Sequence, residues 1–132
     1  MSKKSQRRAV STDEAPAAIG PYSQGIRCGN LLFISGQLPI DPASGELVTG
    51  SIQDKTLRVI ENIRAIAEAA GAGLQDVLKT TVFLKDMNDF TAVNTVYAEF
   101  FPASPPARAA IQVAALPKDA DIEIEAIVRL SG

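Results

Sequence analysis

The chain has 132 residues, 46% hydrophobic and 21% charged, with a net charge of -2 and a pI near 5.1. That length suits one domain, read here as 1–132, and the acidic balance argues against a nucleic-acid surface, which needs a basic stripe. There is no histidine and one cysteine, Cys28, which excludes Ser-His-Asp and Cys-His nucleophiles, an intrachain disulfide framework and the usual zinc sites.

Residues 1–6, with Lys3 and Lys4, read as a solvated basic tail that continues into Arg7 and Arg8. The tail has no apolar h-region, so a secretory signal is not expected, and no apolar run is long enough for a bilayer span. A lone cysteine fits a reducing compartment, and the expected location is cytoplasmic. A short strand is expected between Arg7 and Ser11. SQGIRC and LLFISGQL flank Gly29-Asn30, a two-residue hairpin turn. PIDPASGE reads as a loop.

Ser51 and Asp54 resemble a capping box. Leu57, Ile60, Ile63, Ile66, Ala67 and Ala70 then recur at helical spacing, and Gly71 suits the stop. VLKTTVFLK, residues 77–85, is β-branched and apolar and reads as a strand. Asn88 and Asp89 are candidate caps for a second helix with an apolar stripe of Phe90, Val93, Val96, Tyr97, Phe100 and Phe101. Pro102, Pro105 and Pro106 end it. ARAAIQV and IEIEAIVRL close the chain as strands. The expected fold is α+β, one sheet with two helices on one face.

In the last strand Ile122, Ile124, Ala126, Val128 and Leu130 share one face, with Glu123 and Glu125 on the other. Ile127 lies on that other face too. Both faces of LLFISG and TTVFL are apolar, so the second sheet face is expected to be covered by other copies of the chain. By the same count Arg108, Ala110 and Gln112 oppose Ala109, Ile111 and Val113. Taking the apolar set as inward puts Arg108 on the second face with Glu123. Such charges are paired or used. One reading is an Arg–Glu pair at an interface. The other is an anion site, because a guanidinium grips a carboxylate bidentately and a nearby carboxylate can activate water. Lys79, Lys85 and Lys118 carry no sign of a desolvated Schiff-base lysine, and Cys28 reads as an inert buried thiol.

GPYSQG at 20–25, FISGQLP at 33–39, KTTVFLKDMNDF at 79–90 followed by AVNTVY, and PPARAAIQVAALPKDADIEIEAI at 105–127 together resemble the RidA/YjgF family, over about Val10 to Leu130. The resemblance implies a chorismate-mutase-like homotrimer with sites between subunits. It also implies hydrolysis of 2-imino and enamine acids, made by pyridoxal-phosphate-dependent dehydratases, to 2-keto acids and ammonia, with no metal or cofactor. Arg108 then matches the carboxylate clamp and Glu123 the water-orienting glutamate. Tyr22, Ser35, Gly36, Asn94 and Ala110 match pocket positions, and Pro105 stands where the family often has Phe. Two rival readings are a non-catalytic 2-keto acid sensor and an RNA-directed ribonuclease or translation inhibitor.

Overall fold

The computed structural model describes residues 6–131, so the expected basic tail lies outside the described residues except for the exposed Gln6. Among the described residues there are six strands: β1 (Arg8–Val10), β2 (Gly25–Cys28), β3 (Leu31–Gln37), β4 (Val77–Leu84), β5 (Ala107–Gln112) and β6 (Ile122–Arg129). They form one mixed sheet in the order β1-β2-β3-β6-β4-β5. Helix α1 (Ile52–Ala69) connects β3 to β4, and α2 (Phe90–Phe100) connects β4 to β5. Only β4 and β5 run parallel, and a parallel pair needs such a crossover. The two helices pack on each other, with α1 lying across β3 and β6. This is the expected α+β layer, including the short first strand. No helix among the described residues is long and apolar enough to cross a membrane.

Local signals at α1 act as read. The Ser51 hydroxyl accepts from Asp54 N–H at 3.1 Å, and the Asp54 carboxylate accepts from Ser51 N–H at 3.2 Å, satisfying two donors that the first turn cannot pair internally. At the other end Gly71 takes φ +85. Its N–H reaches Glu68 O, and Ala72 N–H reaches Ala67 O, a Schellman arrangement that suits glycine. The buried stripe is shifted from the one expected. Val59, Ile60, Ile63, Ile66 and Ala67 are buried, whereas Leu57 is 43% exposed. Thr56 and Asn62 take interior positions instead, because each has a partner. Thr56 donates to Ile52 O. The Asn62 amide donates to Leu38 O at 3.2 Å and Ile40 O at 3.0 Å, and Asn62 Oδ1 accepts from Arg58. A buried asparagine so placed ties α1 to the loop after β3.

The α2 entry also differs. A 3-10 turn over Met87–Asp89 precedes the helix, and Asp86 caps it by accepting from Asn88 N–H at 2.9 Å. Asp89 already has helical dihedrals and makes no side-chain cap. Val93, Val96, Tyr97 and Phe101 are buried, while Phe90 and Phe100 pack at the core margin.

Asn62→Ala should cost about 1–3 kcal/mol, since it takes the donor from the Ile40 carbonyl and leaves that of Leu38 with the Ile40 N–H alone. Leu57→Ala, on the solvent side of the same helix, should change stability by about 0.5 kcal/mol or less. Urea unfolding of both variants checks the contrast.

Candidate active site

Glu123 sits on β6 between Ile122 and Ile124, both fully buried under the helices. Period-2 geometry therefore sends it to the opposite sheet face, as expected. There it lines a cavity of about 440 Å³ with Tyr22, Ser35, Gly36 and Glu125. The adjacent strand makes room for it. β3 and β6 lose register between Ile34 and Gln37, and a Cβ on Gly36 would stand 2.3 Å from Glu123 Oε2. A side chain at 36 would push the Glu123 carboxylate out of this position. Ser35 Oγ donates to Ser23 O at 2.5 Å, so its proton is committed to backbone and only its lone pairs face a ligand. Tyr22 is half-exposed at the cavity mouth, with its hydroxyl near Ile19 N–H at 3.4 Å.

Burial pushes the Glu123 carboxyl above the ordinary glutamate range, and the charge of Glu125 adds to the shift. Among the described residues no cation pairs with it. A carboxyl held this way binds its proton more tightly than an ordinary glutamate and is a stronger base once ionised.

Arg108 does not lie on this face. β4 and β5 pair in register, with Thr80 opposite Arg108, Val82 opposite Ala110 and Leu84 opposite Gln112. Thr80, Val82 and Leu84 are buried on the helix side, and paired residues share a face. Arg108 and Ala110 are accordingly on the helix side, and Ile111, expected inside, is 46% exposed. The physical reason is that β5 is an edge strand. The helix layer leaves room there for a guanidinium and a small Ala110, which packs at the core margin.

What holds Arg108 is α2. Phe90, Asn94 and Tyr97 are four and three residues apart, hence on one helix face. Arg108 Nη1 donates to Asn94 Oδ1 at 2.7 Å. Its guanidinium lies 5.2 Å from the Phe90 ring centre and 4.8 Å from that of Tyr97, within cation–π range. Tyr97 is in turn fixed by a 2.7 Å hydrogen bond with Thr80, and burial raises its phenol pKa. No carboxylate pairs with Arg108 among the described residues.

The expected site residues therefore fall into two groups within one chain. Tyr22, Ser35, Gly36 and Glu123 surround the cavity. Arg108, Asn94 and Ala110 stand at the β5 edge on the other face. Arg108 is opposite Thr80 and Glu123 opposite Phe83, so they are about 10 Å apart along the strands and about 10 Å across them. One small molecule cannot touch both in one chain. Residues that the sequence reading missed are Gln24, Phe90 and Tyr97. The last two belong to the apolar stripe of the second helix, where a mid-helix asparagine between two aromatics on one face is a usable signal. Buried Gln24 donates to Thr12 O, Ala15 O and Pro16 O and accepts from Thr12 N–H, which pins the loop that carries Tyr22.

Cys28 is exposed rather than buried. Lys79, Lys85 and Lys118 are all exposed, and Lys85 is held charged by Asp119 at 2.8 Å. None is placed for Schiff-base chemistry, which requires desolvation.

Known proteins resemble this chain closely. A family profile described as endoribonuclease L-PSP matches residues 12–130. The RutC family protein PH0854 of Pyrococcus horikoshii is 60% identical over 121 residues, covering 92% of this chain and 96% of that protein. A Capra hircus protein named 2-iminobutanoate/2-iminopropanoate deaminase is 54% identical over 121 residues, with 92% and 88% covered. The crystal structure of E. coli TdcF with bound serine superposes with a TM-score of 0.90 at 46% identity, over 94% of this chain and 99% of that one.

Because folding raises the Glu123 pKa, ionising this group opposes folding. The cost is absent below the unfolded value of about 4.3 and fully present above the raised folded value. Glu123→Gln should therefore raise the melting temperature at pH 7, and the gain should vanish below about pH 4. Thermal unfolding across that range checks the sign.

Proposed function

The chain belongs to the RidA/YjgF family, and on that premise we propose that it hydrolyses reactive 2-imino and enamine acids to 2-keto acids and ammonia. The observation that carries this reading is Arg108. Its guanidinium is oriented by Asn94 over two aromatic faces and has no carboxylate partner among the described residues. A planar fork held this way suits a substrate carboxylate. The deaminase name of the Capra hircus relative and the serine bound to E. coli TdcF both support a small molecule bearing a carboxylate and a nitrogen.

In this reading the functional unit is a homotrimer. Arg108, Asn94 and Ala110 of one chain face the cavity with Glu123 of the partner subunit. Exposed Phe33 and Ile111, 45% and 46%, support burial of that sheet face between copies. The carboxylate of the protonated imine docks on Arg108. Glu123 takes a proton from water as the water oxygen bonds to C2, giving a carbinolamine. Glu123 then passes that proton to nitrogen and takes the hydroxyl proton as the C–N bond breaks, so ammonia leaves, the C2–O bond becomes the carbonyl of the keto acid, and Glu123 returns its proton to solvent. An iminium carbon is already electrophilic, so positioning supplies much of the rate. Pyridoxal-phosphate-dependent dehydratases release such substrates, and a cytoplasmic location completes the reading.

Arg108→Ala should lower kcat/KM for imine decay behind a threonine dehydratase by on the order of 10²-fold or more. Wild type performing no better than the variant overturns the reading. Saturable 2-keto acid binding that needs Arg108, without turnover, selects the sensor instead. Arg108→Ala and Glu123→Ala chains, each inactive alone, should recover about one quarter of wild-type activity when co-assembled at equal ratio, since one pairing in four is intact in a cyclic assembly. No recovery, or a monomeric mass by light scattering, defeats the shared site.

A further inference from the structure

The cavity beside Glu123 is larger than its polar groups need. Its volume of about 440 Å³ corresponds to roughly fifteen waters at about 30 Å³ each, and a three-carbon imino acid would leave much of it empty. Beyond Gln24 and Gln37, whose amides donate to backbone carbonyls, the remaining wall is apolar, with Pro16, Ile19, Leu38, Ile40 and Pro117. Leu38 and Ile40 follow Gly36 by two and four residues, so the apolar floor begins within about 7 Å of the carboxylate end.

That floor is rigid. Leu38 and Ile40 are buried with Ala120 in a small second core backed by Leu47 and Leu116. Their carbonyls are tied to α1 through Asn62. Ile19, which lines the same cavity, is 70% exposed. A lone exposed isoleucine is ordinary, but this one sits on a loop that Gln24 stitches down at Thr12, Ala15 and Pro16. An isoleucine presented at a cavity mouth on an anchored loop is a wall in waiting. Pro117 completes it from a turn held by the Lys85–Asp119 ion pair.

We propose that this apolar region is the side-chain subsite, with Ile19 and Pro117 as its specificity-determining residues. The chain prefers 2-imino acids with branched or extended aliphatic side chains over those derived from alanine. An acidic side chain is excluded twice, by the unpaired burial of its charge and by Glu123 and Glu125, which line the same cavity. The proposal rests on the deaminase reading for its substrate, but binding of product keto acids tests it independently of turnover.

Calorimetry on the intact wild-type assembly with pyruvate, 4-methyl-2-oxopentanoate and oxaloacetate provides the test. The branched acid should bind about tenfold or more tighter than pyruvate, as a few matched methylenes allow, and oxaloacetate should bind weakest. Ile19→Ser and Pro117→Ser should each shrink the preference several-fold and leave pyruvate affinity within about twofold, whereas Ile19→Leu should retain it. A preference that persists in protein without imine turnover supports the subsite and removes the deaminase reading alone. Equal affinities for the three acids, a preference unmoved by both serine variants, or a changed assembly mass for Ile19→Ser, which would make Ile19 a subunit contact, overturns the proposal.

Discussion

Ile122, Ile124, Ala126 and Val128 alternate along β6, and all four are buried against the helix layer. A one-residue slip would turn all of them to the other face, at about 1.5–3 kcal/mol for each of the larger side chains. β6 is therefore locked, and its two neighbours inherit its parity through the ladders to β3 and β4. Glu123 and Glu125 are carried to the face that the helices leave uncovered. β5 takes its parity from β4 through the parallel pairing, which carries Arg108 to the helix side. The separation of the two charged groups is thus a consequence of core packing, and a site that uses both requires a second copy of the chain.

Smaller devices then hold each group in place. The missing side chain at Gly36 admits the Glu123 carboxylate against β3, where burial and Glu125 favour its protonated form. Gln24 spends its buried amide on the loop that carries Ile19 and Tyr22, so the cavity mouth is shaped before a ligand arrives. On the other edge, Asn94 and the rings of Phe90 and Tyr97 restrict the many rotamers of an arginine. Under the proposed function, pre-organisation of this kind lowers the entropy lost when Arg108 captures a carboxylate.

Much of this was legible along the chain. The capping box at Ser51, the left-handed stop at Gly71, the Gly29-Asn30 hairpin and the alternation of β6 are short-range signals, each decided by residues within a few positions of one another. The family resemblance supplied the roles expected of Arg108 and Glu123. Two readings failed where a distant partner decided the outcome. Leu57 has helical spacing and is exposed, while Asn62 is buried because the carbonyls of Leu38 and Ile40 await it. Ile111 is apolar and so expected inward, yet its pairing with β4 turns it to the sheet surface that the helices leave uncovered.

By itself, then, the sequence determined the elements, their order, the parity of β6 and the residue types available for chemistry, because these rest on local backbone geometry and period-2 or period-3.6 patterning. Only the tertiary structure decided the direction of Arg108, through its pairing with Thr80 on β4 and its seat on α2. The orientation of an edge strand is set by the strand it joins and by how far the helix layer reaches over it, and neither is written in the strand's own residues.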